Sequence, residues 1–215
     1  PTIMQNYFAG NRGGDACLMI IGPDTTMFVQ DNAFQFDTAK AIIRISDMGP
    51  WSAEIRNNLI EDNSGVAIFA EVASPVIEMN TVVRNGFGLL LTYSASEVTC
   101  NLIAENRGSG IDFHNDTTVL TSNPIISHNI VDRNHGFGIV VESGNPVVRA
   151  NCVTRNTSFM TGVGIDLRNC SGVVEHNTVS LNRGEFAGGG IRVIGGNPLV
   201  RHCIVYGNSP DDLHV

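Results

Sequence analysis

Residues 127–146 read SHNIVDRNHGFGIVVESGNP, and the next unit repeats the plan in RANCVTRN (149–156) and GVGIDLRNCSG (162–172). An asparagine is followed five residues later by a second asparagine, then by a glycine and a short apolar run. A plan rewritten along the chain announces a repeat, and a repeat decides the fold before any single element is considered.

Taking the first asparagine as origin, the units begin at Asn6, Asn32, Asn58, Asn80, Asn101, Asn129, Asn151 and Asn177, with Cys203 in the ninth place; the steps are 26, 26, 22, 21, 28, 22, 26 and 26 residues. Five residues on stand Asn11, Asp37, Asn63, Asn85, Asn106, Asn134, Asn156, Asn182 and Asn208. The place three before the origin is apolar in every unit, from Ile3 to Val200, and so is the place two after it, from Phe8 to Val205. A further strand follows the glycine. There Val66, Leu89, Ile111, Ile139, Ile165 and Ile191 alternate with outward residues before Ile68, Leu91, Phe113, Val141, Leu167 and Val193, a period of two that buries one face.

Short strands between asparagine and glycine turns, with no helical pattern among them, exclude a doubly wound α/β sheet. They fit an all-β solenoid, a single-stranded parallel β-helix of about nine coils spanning residues 1–215 as one domain. Each strand then pairs with its equivalent in the next coil, and nine coils make a rod roughly 40 Å long. Asparagine suits the corners in two ways. It tolerates left-handed backbone angles, and its stacked amides donate and accept up the rod as a ladder.

The 215 residues carry a formal net charge of −8, and Lys40 is the only lysine beside twelve arginines. No basic stripe is present, so nucleic acid is not the expected partner. Cys17, Cys100, Cys152, Cys170 and Cys203 lack CxxC spacing and read as free thiols, without a zinc site or disulfide framework. No run reaches the roughly 18 apolar residues of a membrane span. The sequence starts at Pro1 without a signal-like segment, which suggests a processed form or part of something longer.

The pattern NxVxxN…GI, with NP or SP ahead of the next strand, resembles the right-handed parallel β-helix repeat of the pectin-lyase-like superfamily from Asn6 to Asn208. That resemblance implies a right-handed coil and a setting outside the cell or at its surface. The superfamily holds polysaccharide lyases, hydrolases and epimerases beside surface proteins without chemistry. The clustered carboxylates that bind calcium in pectate lyases, and the GHG and RxK signatures of pectin hydrolases, are missing here.

Chemistry in such a rod belongs on an outer face or in loops. Two and four places after the glycine, the outward columns read Ala67, Leu90, Asp112, Val140, Asp166, Arg192 and Phe69, Thr92, His114, Glu142, Arg168, Ile194. Charge enters at Asp112 and persists for four coils. Asp112 and His114, two apart on one strand, point to the same side. The stretch GIDFHND (110–116) is similar to the GFDPH active-site motif of mannuronan C5-epimerases, with Phe113 in place of the proline and no tyrosine or lysine beside it. The resemblance implies Asp112, His114 and Arg168 as catalytic candidates, with His114 moving a proton and Arg168 or Arg192 neutralising a uronate carboxylate. Glu142, Asp166 and Arg192 become candidate substrate-binding residues. The plain alternative is a set of cross-strand charge pairs. The enlarged turns TSFMT (157–161) and GEFAG (184–188) are placed to wall one side.

One place before the origin stand His128, His176 and His202. With Ala150 interrupting them, they read as a polar ladder rather than a metal site, and no cofactor is expected. Arg149, Glu175 and Arg201 alternate in sign up the rod, which sets register. Neither end carries an amphipathic helix to cover the core, so flanking sequence, end-to-end contact or a protein partner is expected there. The function read from the sequence is an extracellular or cell-surface module with a structural or glycan-contacting role. The alternative is a lyase or C5-epimerase acting on polyuronates.

Overall fold

A computed structural model describes residues 1–22, 25–47, 52–115, 123–159 and 163–215. Every regular element among them is a strand, and the strands form three nine-stranded parallel sheets and one two-stranded sheet. The first sheet runs from Thr2–Met4 to Leu199–Arg201, the second from Tyr7–Ala9 to Ile204–Tyr206, and the third from Ala16–Ile21 to Leu213–His214. Each strand pairs with its equivalent one coil on, which makes the chain a parallel β-helix. Val148 stands between Ile126 and Val174, and Val174 pairs with Val200, so the first apolar column is one continuous internal row.

The second column is likewise internal. Its first two rings, Phe8 and Phe34, stack with centroids 4.6 Å apart and planes 4° from parallel. The third sheet corrects one alignment. Leu89 pairs with Ile68 and Leu91 with Ala70, so Val66 is the partner of Phe87 and Ala67 points into the core. Ala67 therefore occupies the place that glycine holds in later coils. The need for glycine there is steric: a Cβ on Gly138 would lie 2.5 Å from Val153 Cγ1 and 2.6 Å from the Gly164 carbonyl.

From Asn32 to Asn182 the ladder asparagines are buried, and they form two ladders along the rod. At a typical step the Asn80 backbone N–H and Nδ2–H both donate to Asn101 Oδ1, at 2.9 and 3.0 Å, and Nδ2 also reaches the Ile55 carbonyl at 2.8 Å. They do not, however, take the left-handed angles themselves. The positive-φ residue at the first corner is the one before each ladder position: Gln5, Asp31, Asn57, Met79, Cys100, His128, Ala150 and His176 ahead of asparagines and His202 ahead of Cys203, all with φ from 51° to 58°. The amide grips the backbone on both sides of the corner and imposes the turn on whatever side chain precedes it. Each such residue is held against its own preference at an ordinary cost of about 1–2 kcal/mol, which the ladder bonds offset.

Asp37 is the exception in the second ladder. Its Oδ1 accepts from Asn11 Nδ2 at 2.8 Å, yet it has no amide hydrogen to pass on, and its Oδ2 is buried without a hydrogen-bond partner.

Candidate functional site on the third sheet

The corrected register makes the outer columns Phe69, Leu90, Asp112, Val140, Asp166, Arg192, His214 and Glu71, Thr92, His114, Glu142, Arg168, Ile194. The six candidate residues do gather on one face, though not as a uniformly open patch. Asp166 is fully buried and Arg192 is 7% exposed. The cover comes from the enlarged turn before the eighth strand of the sheet: a Cβ on Gly188 would sit 2.7 Å from Arg192 Cβ, so that backbone lies directly over the arginine.

Under this cover Asp166 holds both arginines. Arg192 Nε and Nη2 donate to Asp166 Oδ1 and Oδ2, each at 2.8 Å, and Arg168 Nε donates to Oδ2 at 2.8 Å. The forked pairing suits a planar guanidinium, and full burial of the carboxylate is tolerable only with such partners. Arg168 also lies with its guanidinium carbon 5.5 Å from the centre of the Phe137 ring, and its Nη1 is 4.0 Å from Glu142 Oε1. Both arginines are thus engaged by protein carboxylates.

The less covered part of the face holds Asp112, His114 and Glu142, with His114 exposed and the two carboxylates partly buried. His114 Nδ1 contacts Glu142 Oε2, and the imidazole is exposed. Burial pushes the Asp112 carboxyl up to about 6; His114 and Arg168 pull it down, and the negative charges of Glu142 and Asp166 push it further up. A carboxyl raised to that range beside an imidazole can exchange a proton at mildly acidic pH.

Sequence reading placed the two enlarged turns beside this face without giving their content. Thr157–Ser158 and Arg183–Gly184 pair as a small extra sheet, and the turns with His135 line a groove of about 270 Å³. Phe159 stands 81% exposed at its wall, and Phe186 is also exposed nearby in sequence. The sequence signal was the phenylalanine in each of HGFG, TSFMT and GEFAG, in three successive coils. His135 and Phe137 share one turn, which joins the groove to the Arg168 side of the charged face. Met160, Thr161 and Gly162 lie outside the described residues.

In the polar column one place before the origin, Cys100 and His128 directly follow two paired strands, Glu97–Thr99 and Ile125–Ser127, and so stand one coil apart. His176 and His202 are also neighbours, with ring centroids 5.1 Å apart. Among the described residues, no three His, Cys, Asp or Glu side chains are grouped to hold a metal ion.

A stacked three-sheet coil with amide ladders defines a parallel β-helix, and the comparisons supply its hand. The family model described as "Right handed beta helix region" matches residues 77–214, and the one described as "Periplasmic copper-binding protein (NosD)" matches residues 2–121. The chain belongs to the right-handed β-helix family, with a first half of the NosD type. No curated protein and no solved structure matches it. Neither family match carries the local likeness to mannuronan C5-epimerases.

Proposed function

We propose that this chain is an extracytoplasmic β-helix module whose third-sheet face, over coils five to eight, contacts glycans. The periplasmic description of the NosD family supports the location. The observation that carries the reading is the union of two parts on one face: the less covered Asp112, His114 and Glu142 group, and the groove whose wall bears exposed Phe159. Aromatic rings receive the apolar faces of sugars, and paired polar groups fix hydroxyls. Because Arg168 and Arg192 are engaged by Asp166, the face favours hydroxyl-rich neutral glycans over polyuronates, whose carboxylates need free cations. The test is a glycan array followed by calorimetry on hits. Binding lost in Phe159→Ala and in the double variant Asp112→Asn/Glu142→Gln supports the reading. Binding that ignores both variants, or no binding to any glycan, overturns it.

One feature favours the second reading, a polyuronate lyase or epimerase. Burial pushes the Asp112 carboxyl up to about 6 beside His114, within reach of acid–base exchange. Release of unsaturated uronate products, or a changed epimer ratio, abolished by His114→Ala, selects it.

The copper named for NosD proteins is not suited to this face, where the available donors are carboxylates and a single imidazole.

A further inference from the structure

The place one after each second-ladder residue forms a column along the corner between the second and third sheets. Over coils five to eight it reads Arg107, His135, Thr157 and Arg183, and no acidic residue stands at this place in any coil of a chain whose net charge is −8. Positive charge elsewhere on the rod is mostly neutralised: Arg84 meets Glu61 and Asp62, and Arg155 meets Asp132. Among the described residues Arg12, Arg107, Arg149 and Arg183 form no ion pair, and all of these but Arg149 belong to the column. A free guanidinium on a solvated surface is ordinary. Arg183 is set apart by its place, because it lines the groove of about 270 Å³ together with His135, Phe159 and Glu185.

That groove stands on fixed backbone. His135 N–H donates to the Asn106 carbonyl at 2.8 Å, and the Thr157 and Arg183 N–H groups donate to the Asn134 and Asn156 carbonyls at 2.9 Å, so the three residues occupy successive levels about 4.8 Å apart. Gly184 N–H donates to the Ser209 carbonyl at 2.8 Å and ties down the next residue. His135 and Arg183 therefore border one space from levels roughly 10 Å apart, with Thr157 between them. Phe159, 81% exposed, adds an apolar ring to the same lining.

This set of groups suits one anion beside one sugar. A guanidinium presents forked N–H donors to the oxygens of a carboxylate, sulfate or phosphate, the imidazole adds an N–H, and threonine adds a hydroxyl. Glu185 also lines the groove and forms no ion pair among the described residues, so it leaves Arg183 available; its charge opposes a second anionic group, and its oxygens can accept a sugar hydroxyl. The volume lies just under the roughly 300–1,000 Å³ of a drug-sized pocket, room for about one monosaccharide unit.

We propose that the groove is an anion-recognising subsite of the glycan-contacting face. It receives a sugar unit that bears a single anionic substituent within an otherwise neutral glycan, the ring lying on Phe159 and the oxyanion between Arg183 and His135. The inference rests on the glycan-contacting reading and narrows its ligand class. It does not restore polyuronates, whose charge on every unit would meet the carboxylates of Glu142 and Glu185.

The experiment is calorimetry with matched pairs of oligosaccharides, identical except that one member carries a single carboxylate, sulfate or phosphate group, at low and high salt. The charged member of at least one pair is expected to bind roughly 10- to 100-fold tighter, the range of a hydrogen bond to a charged group, and which group is preferred identifies the oxyanion. The advantage should shrink as salt screens it. Arg183→Ala should bring the ratio close to one, whereas Arg183→Lys should keep part of it, because the charge stays and the fork goes. Arg149→Ala, on the first sheet and exposed, should leave the parent's ratio unchanged. Circular dichroism of each variant checks that the coil persists. Equal binding by both members of every pair, or an advantage that survives Arg183→Ala, overturns the subsite and leaves a Phe159-dependent glycan site standing. Absence of binding by any glycan, charged or neutral, overturns both.

Discussion

Asp166 and Arg192 lie 26 residues apart and face each other on adjacent coils, joined by two parallel bonds of 2.8 Å beneath the turn that carries Gly188. The pair closes a buried charge cluster in which Arg168 is the third member. Removing the carboxylate strands Arg192 in a site with 7% exposure. Asp166→Asn is expected to cost about 3–5 kcal/mol, and replacing Asp166 and Arg192 together by leucine distinctly less, because no unpaired charge remains. Urea unfolding of the two variants and the parent measures the difference.

Asp112 sets a pH dependence of opposite sign to that of an ordinary ion-paired carboxylate. Its folded value of about 6 stands above the ordinary carboxyl value of 3.8, so the folded state holds the proton more tightly. The stabilisation from this group is complete below about pH 4 and is lost as pH rises through 6. Asp112→Asn should therefore gain on the parent by up to about 3 kcal/mol at pH 7 and match it below pH 4. Unfolding midpoints across that range decide it. A constant difference between the two proteins would remove Asp112 as the titrating group.

Asp37 interrupts an amide ladder that otherwise runs from Asn11 to Asn208. Asp37→Asn supplies the missing hydrogens to a buried place and is expected to stabilise the protein by about 1 kcal/mol. The gain should appear as slower hydrogen exchange in the first two coils, measured by mass spectrometry, with the later coils unchanged.

The thiols should separate by reactivity. Cys100 is exposed, whereas burial pushes Cys170 up to about 11, and its Sγ lies in the core 3.3 Å from both the Val141 and the Arg168 carbonyl oxygens, either of which can accept its one hydrogen. Cys17 is also pushed up to about 11, by burial first and then by the Asp37 charge. Brief alkylation of the native protein at neutral pH should label Cys100 ahead of Cys17, and leave Cys170 unmodified until the chain is unfolded. Peptide mapping reads the order.

Much of the architecture was legible because the repeat places one kind of group at one height in every coil. The Val148, Val174 and Val200 row and both asparagine ladders follow directly from spacing. The third coil was misaligned because Gly65 offered itself as the landmark, whereas Ala67, four residues after Asn63 as Gly110 is after Asn106, holds the glycine place. The left-handed residue could not be read, since the ladder imposes that angle on Met79, Ala150 and Leu181 alike. The six charged residues were correctly gathered on one face. The burial of Asp166 and Arg192 depends on a turn folding back over its own strand, which no periodic pattern records.

The coil-by-coil bonding also has a mechanical meaning. Each ladder asparagine bonds only within its own level and to the levels directly above and below, so tension on the chain should release one level at a time. A single level frees 21 to 28 residues. Held between a surface and a cantilever, the molecule should lengthen in a sawtooth whose increments are roughly 70–100 Å of contour, far from the single rupture of a sandwich domain.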